Sequence, residues 1–330
     1  MAQNYIRRYA TPIWQYLKRD DITEVAVNPD GRVWIETTSN RYMMQTDDRM
    51  DENAVKQFTG QLAGEQSTQS GRGHLMTSAM LTVDEVEYPL RVQCVLPPAC
   101  LGGGSITVRK FAKSFVQAQD IQILKDARSE KSDWMEAISS TFDQAGSFET
   151  IAELIIRHRL NVVVSGGTSS GKTTVLKSLL AKVDPNERVI TIEDVPELMP
   201  KLANYVGLIA DRDSDVRGPK QLLASVLRMR PDRFLVGELR GDEARVFLEA
   251  INTGHDGSMT SLHANSAEKA INRLVLMALG ASENLSARTV VTNICDTIDL
   301  VLQTGQTDQG RGLIGWYVPS EHVSELRDKF

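Results

Sequence analysis

The sequence predicts an α/β protein in two parts: a C-terminal domain on a mostly parallel sheet with helices on both faces, and a smaller α+β domain before it. Three observations carry this. From about residue 133 onward, short β-branched runs ("NVVVSG", "RVITIED", "NYVGLIA", "RFLVGE", "SMTSLHA", "TIDLVLQ") alternate with helical segments, the pattern of a parallel sheet covered on both sides. Before residue 112, apolar runs are instead paired around turn sequences. One C-terminal run also opens onto a glycine-rich loop followed by a helical pattern.

A chain of 330 residues has room for two domains, each with its own core. No run approaches the roughly eighteen apolar residues of a bilayer span. The start, "MAQNYIRRYATPIWQYLKRD", lacks the uninterrupted apolar core and small-residue cleavage site of a secretory signal. Its aromatic and basic residues (Tyr5, Arg7, Arg8, Tyr9, Trp14, Tyr16) suit a solvated helix, a membrane surface or a neighbouring subunit. Cys94, Cys100 and Cys295 form no C-x-x-C pair and read as small buried hydrophobes in a reducing compartment. The formal net charge of −6 gives no global support for nucleic-acid binding. A cytoplasmic location is the expectation.

In chain order, residues 1–112 form the expected N-terminal domain. "ITEVAVNPDGRVWIE" reads as a hairpin with Asn28-Pro29-Asp30-Gly31 at its tip. Val55, Phe58 and Leu62 follow at helical spacing behind acidic Asp51 and Glu52. "YPLRVQCVL" and "SITVRKF" then flank "PPACLGGG". Leu90, Val92, Cys94 and Leu96 share a face, and pairing the two runs sets Arg91 nearly opposite Arg109 on the other. Like charges directly opposed destabilise a sheet unless something anionic compensates; two solvated arginines on an open face fit the pattern as well. The polar segment 113–132 is the expected interdomain connection, and 133–330 the second domain.

Gly166-Gly167-Thr168-Ser169-Ser170-Gly171-Lys172-Thr173 satisfies G-x-x-x-x-G-K-[ST], with a strand before it and a helix carrying Val175, Leu176, Leu179 and Leu180 after it. Such glycines let backbone N–H groups turn around a phosphate, and the helix N-terminus adds its positive end. Lys172 reaches the β- and γ-phosphates in this arrangement, Thr173 is a Mg²⁺ ligand, and Thr174 closes the binding segment. With no guanine-reading N-K-x-D in the chain, ATP is the expected nucleotide.

Three further stretches carry chemistry. "RVITIEDVPEL" ends a strand in Glu193-Asp194, where carboxylates hold Mg²⁺ or polarise a nucleophile, or else cap the turn before Pro196. "RMRPDRFLVGELRG" places Glu238 after a buried run, where a general base faces an attacking water. Gly237 occupies the position where such motifs usually carry Asp, which shifts the metal role toward Glu193 and Asp194. Arg240 pairs with an acidic residue or reaches a phosphate. "GHDGSMTSLHANSAEKAINRL" carries His255 and His263; a structural histidine is the plain reading, and sensing of the γ-phosphate or of a subunit boundary is the functional one. Asn265 with Glu268 reads as a helix-opening capping box.

The order of these motifs resembles the ATPase superfamily of type II and type IV secretion systems, where the four stretches are the Walker A, Asp, Walker B and His boxes. The likeness covers the second domain, and "LPPACLGGGSITVRKF" resembles the end of the family's N-terminal domain. The lack of a four-cysteine zinc module and the sequence "LHANSA" place it nearest the conjugation and type IV branch. The resemblance implies a RecA-like P-loop domain and a homohexameric ring with ATP between the two domains of each subunit. It implies Arg91 and Arg109 at the γ-phosphate, the N-terminal domain as nucleotide cover and oligomerisation surface, and docking on inner-membrane components and coupling ATPases. Glu238, Glu193, Arg240 and His263 are the catalytic candidates read from the motifs themselves, and Gly237, shared with the family, leaves activity possible. A pilus-retraction or type II assembly motor, a nucleic-acid translocase and a non-hydrolysing scaffold stay open at this point.

Overall fold

The structure, a computed structural model, describes residues 2–65, 75–82, 85–86, 89–111, 132–144, 146–281 and 286–330. The expected connection 113–132 lies outside the described residues except for Ser132, where a helix begins. In chain order the elements are α1 (Ala2–Tyr9), α2 (Thr11–Lys18), β1 (Ile22–Val27), β2 (Arg32–Thr37), β3 (Met44–Arg49), α3 (Glu52–Glu65), β4 (Met76–Leu81), β5 (Leu90–Val95) and β6 (Ser105–Arg109). There follow α4 (Ser132–Asp143), α5 (Phe148–Arg157), β7 (Val162–Gly166), α6 (Lys172–Leu180), β8 (Val189–Glu193), β9 (Tyr205–Ile209), α7 (Pro219–Val226), β10 (Arg233–Val236) and α8 (Glu243–Ile251). The last are β11 (Met259–Leu262), α9 (Ala267–Gly280), α10 (Ala287–Thr297), β12 (Leu300–Thr307), β13 (Gly310–Tyr317) and α11 (Val323–Asp328). The expected α/β class is the one found. The chain forms two compact units, the first gathering Met1–Ile123, Pro185–Pro196 and Leu202–Asp232, the second Leu124–Asp184, Glu197–Lys201 and Arg233–Phe330.

The first unit holds an antiparallel sheet in the order β3-β2-β1-β6-β5-β4. The β1–β2 hairpin turns on Gly31, whose φ of 82° and an added Cβ only 2.7 Å from the Met50 carbonyl oxygen leave no room for another residue. Asp51 Oδ1 accepts the Ala54 N–H at 2.8 Å and so starts α3, whose Val55, Phe58 and Leu62 enter the core. Ile13, Trp14 and Leu17 of α2 pack there too, with Leu90, Val92, Cys94, Ile106 and Val108 from the sheet.

The hairpin register brings Arg91 opposite Arg109, as the alternation requires, and extends that row to Glu24 and Glu36 on the neighbouring strands. One of the two like charges, Arg109, is therefore compensated from within the sheet. Arg109 Nε donates to Glu24 Oε1 at 2.6 Å, while the Arg91 guanidinium sits 5.9 Å from the Phe111 ring centroid. Glu24 is 3 % exposed; burial pushes its carboxyl above the ordinary value, with Arg109 opposing that shift. The face is not open throughout, because Gln93 and Thr107 of the intervening positions are buried.

Arg188, fully buried, is the polar centre of this unit. Its Nη1 donates to Asn28 Oδ1 and Asn204 Oδ1, each at 2.6 Å, and its Nε to the Met229 carbonyl at 3.0 Å. Burial lowers its pKa to about 10, which leaves it charged at neutral pH. Arg188→Met removes the charge but strands two buried acceptors, Asn28 Oδ1 and the Met229 carbonyl, while Asn204 Oδ1 keeps the Asn28 Nδ2 donor, and is expected to destabilise the fold by about 3 kcal/mol. Urea unfolding measures this; an unchanged midpoint would remove Arg188 from its place at the centre.

In the second unit β13, β12, β7, β11 and β10 lie side by side in that order, the last four parallel and β13 antiparallel to β12. Val162, Val163 and Val164 are fully buried, as continuous apolar runs in a parallel sheet should be. The shared direction puts the C-terminal ends of β7, β11 and β10 on one edge, where ligands of such sheets sit. One local expectation is corrected here. The cap of α9 is Ser266, whose extended backbone lets its hydroxyl accept the Lys269 N–H at 3.2 Å, so Asn265 lies outside the helix and Glu268 sits one position earlier than a capping box needs.

Candidate functional site

The loop after β7 is shaped by two left-handed residues, Ser169 (φ 57°) and Gly171 (φ 103°). Gly167 and Gly171 have open space where a Cβ would project, so the backbone there is accessible to a ligand. Gly171 also precedes α6 without any side-chain cap, leaving the first N–H groups of that helix to an outside acceptor. Together these make a concave array of N–H donors at the positive end of a helix, which suits a phosphate chain. Thr173 and Thr174 follow in the first turn of α6.

Lys172 folds back over the loop. Its Nζ donates to the Gly167 carbonyl at 2.8 Å and the Gly166 carbonyl at 3.1 Å, and stands 3.4 Å from His263 Nδ1. Burial holds its pKa below the ordinary lysine value, partly offset by the charge of Glu238.

Glu238 leaves the end of β10 and is gripped from two sides. Arg240 Nη2 donates to Oε2 at 2.6 Å, and His263 Nε2 lies 3.1 Å from Oε1. This arrangement assigns the histidine proton to Nε2 and leaves Nδ1 to accept from Lys172. Half-burial alone would raise the Glu238 pKa; the hydrogen bond and charge of Arg240, with His263 and Lys172, outweigh it and hold the carboxyl below its usual range. The backbone beneath is fixed by Ser261 Oγ donating to the Gly237 carbonyl at 2.6 Å and Leu239 N–H to the Ser261 carbonyl at 2.9 Å. Arg273 Nη1 donates to the His263 carbonyl at 2.8 Å. Lys172, His263, Glu238 and Arg240 are thus one connected polar chain. Sequence reading named all four without joining them, since nothing in their spacing shows which histidine nitrogen meets which partner.

Of the two histidines, His255 lies away from this chain, with Nδ1 against the Ala250 carbonyl at 3.1 Å and its ring edge-on to Phe234. Glu193, Asp194, Arg91 and Arg109 belong to the first unit. Glu193, 6 % exposed at the end of β8, accepts from Thr191 Oγ1 at 3.3 Å, and Asp194 accepts from Arg212 Nε at 2.9 Å. Among the described residues no three His, Cys, Asp or Glu side chains gather as a metal cage; a Mg²⁺ ion that takes much of its shell from phosphates and water needs none. Two residues escaped sequence reading altogether: Glu24, the carboxylate behind Arg109, and Thr304 of β12, which touches the loop. Neither lies in a motif, and only strand register reveals them.

A parallel sheet carrying this loop on one edge, with a positioned carboxylate nearby, defines a P-loop nucleotide hydrolase. The chain matches the family of type II/IV secretion system proteins over residues 10–307, and it belongs to that family. It is 34 % identical over 282 residues to the type IV secretion system protein VirB11 of Brucella suis, covering 81 % of this chain and 76 % of the relative. It is 30 % identical to the conjugal transfer protein TrbB of Rhizobium radiobacter, covering 88 % and 82 %. The crystal structure of the VirB11 ATPase from the Brucella suis type IV secretion system, in complex with sulphate, superposes with a TM-score of 0.83 at 28 % identity, over 98 % of this chain and 97 % of that one. The chain is a secretion-system ATPase of the type IV and conjugation group.

Proposed function

We propose that the chain works at the cytoplasmic face of the inner membrane as a homohexameric ring, hydrolysing ATP to drive pilus biogenesis and substrate transfer by a conjugative or type IV secretion apparatus. The observation that carries the reading is Glu238, ionised and oriented by Arg240 and His263 beside the loop lysine. In the reaction, water attacks the γ-phosphorus in line as the bond to the β–γ bridging oxygen breaks, and the water proton passes to Glu238 or on to solvent. ADP leaves with the bridging oxygen and inorganic phosphate with the water oxygen.

Gly166 to Thr174 cradle the triphosphate, with Lys172 turning from the loop carbonyls to the β- and γ-phosphates. Thr173, Glu193 and Asp194 are the residues that would hold Mg²⁺, which when bound neutralises phosphate charge. Glu193 also orients the attacking water. Arg240 and His263 hold Glu238 and respond to the γ-phosphate. Arg91 and Arg109 serve as γ-phosphate contacts; the half-exposed guanidinium of Arg109, fixed along one edge by Glu24, keeps its other edge for an anion. On this reading 1–112 is the oligomerisation and nucleotide-cover domain, 113–132 its connection and 133–330 the ATPase domain. Inner-membrane components and coupling ATPases of the machine receive the work of hydrolysis on this reading. Membrane association on this reading is peripheral; among the described residues no helix is long and apolar enough to cross a membrane.

Native mass measurement with Mg²⁺ and a slowly hydrolysed ATP analogue is expected to give six times the chain mass. A monomer at every nucleotide and protein concentration would remove the ring from the account.

A further inference from the structure

His263 is placed by its ring at two points and by the backbone behind it at two more. Nδ1 stands 3.4 Å from Lys172 Nζ, and Nε2 stands 3.1 Å from Glu238 Oε1. Behind the ring, the His263 carbonyl accepts from Arg273 Nη1 at 2.8 Å and the Ala264 carbonyl from Gln303 Nε2 at 3.3 Å. The bond from Arg273 is the shorter, and its charged donor makes it the stronger. Arg273 stands on α9, whose fully buried Ala270, Ile271, Leu274 and Val275 seat the helix on α8, α10 and the sheet. A long side chain on a helix leans toward the N-terminal end, which carries the guanidinium back past the Ser266 cap to His263. The positive end of α9 opposes a cation at that place; the His263 carbonyl is what holds it.

The two ring contacts do not last together. On the proposed reading Lys172 turns to the phosphates when nucleotide binds, and Nδ1 loses that neighbour. The ring then keeps Glu238 alone, and its placement falls to the backbone. The bond from Arg273 to the carbonyl is present with and without nucleotide, so its loss leaves affinity unchanged. What changes is how often the imidazole of the loaded site meets Glu238, and with it the chemical step.

We propose that Arg273 is a positioning residue for hydrolysis, which by holding the His263 carbonyl keeps Nε2 on Glu238 after Lys172 has moved to the phosphates. The proposal rests on the reading of Glu238 and His263 as parts of the hydrolytic site. Arg273→Ala should lower the single-turnover rate about five- to tenfold, the scale of one hydrogen bond. The Kd for ATP and for ADP should stay within about twofold of the wild-type value. Burial raises the Glu238 pKa, and the facing Arg240, His263 and Lys172 lower it. Losing the His263 contact removes part of that lowering. The rate is lost as pH falls through this pKa, so the acid limb of the rate profile should move to higher pH in Arg273→Ala.

The test uses the full chain with Mg²⁺–ATP and measures the single-turnover rate against pH, the Kd and the melting temperature. Arg273→Lys keeps a charged donor and should bring the rate back to within about twofold of wild type. In a His263→Ala background Arg273→Ala should add little, because the effect passes through the imidazole. Four results would each overturn the proposal: a wild-type rate in Arg273→Ala, an acid limb that does not move, a full additive loss in the His263→Ala background, or a loss that tracks a fall in melting temperature and is not repaired by lysine. His263→Ala alone separates the two levels. If that variant hydrolyses ATP as the wild-type chain does, the reading of the histidine falls and takes this proposal with it; if it is slow while Arg273→Ala is not, only the role of Arg273 falls.

Discussion

Lys172→Ala is expected to reduce ATP turnover at least about a hundredfold and to leave the melting temperature within a few degrees of the wild-type value. Among the described residues the lysine's ammonium meets two loop carbonyls and His263. Its half-buried ammonium is held under a desolvation cost, as its lowered pKa records. Deleting it relieves that cost and leaves carbonyls on a loop that water reaches, so the fold loses little. The nucleotide loses its main positive charge, and with it both binding and stabilisation of the γ-phosphate in the transition state. Steady-state phosphate release with a parallel thermal melt measures both. A variant that turns over normally would dissociate this loop from the chemistry, and one that is inactive because it is unfolded would refute the local account of the lysine.

Glu238→Gln separates binding from hydrolysis. Glutamine keeps an acceptor for the His263 Nε2–H but removes the charge that Arg240 and His263 hold in place. Affinity for ATP should stay within about threefold of wild type, because Glu238 is assigned to the water and not to the phosphates. Turnover should fall by about two to three orders of magnitude, the scale of a lost general base. Single-turnover measurement with excess enzyme isolates the chemical step. Equal losses in affinity and turnover would make Glu238 a structural counter-ion of Lys172 and Arg240 and nothing more.

How far the sequence carried the reading depends on the range of each interaction. The phosphate loop was legible because strand, glycines, lysine and helix are contiguous, and the same holds for the Asn28–Gly31 hairpin and for α3. The opposed arginines were legible from alternation and a short loop. The compensation of Arg109 was not, because Glu24 comes from a strand some 80 residues earlier in the chain and is joined to Arg109 only by register. Thr304 is hidden for the same reason, at 134 residues from Ser170. The α9 cap was misplaced by one residue because Asn265 and Ser266 are both good caps, and only backbone φ decides between them. Lys172, Glu238, Arg240 and His263 were each visible as chemistry-bearing residues. That they form one chain depends on the parallel order β7-β11-β10, which no local pattern encodes.

The central claim is that hydrolysis at this loop, beyond nucleotide binding, drives transfer. Its most direct test is transfer frequency in cells that lack the wild-type chain and carry Glu238→Gln at equal expression, with ATP binding verified on the purified protein. The account predicts a variant that binds ATP and supports no transfer above the level of the empty strain. Transfer at the wild-type frequency from a chain that binds but does not hydrolyse would contradict it, and would make the protein a nucleotide-dependent scaffold.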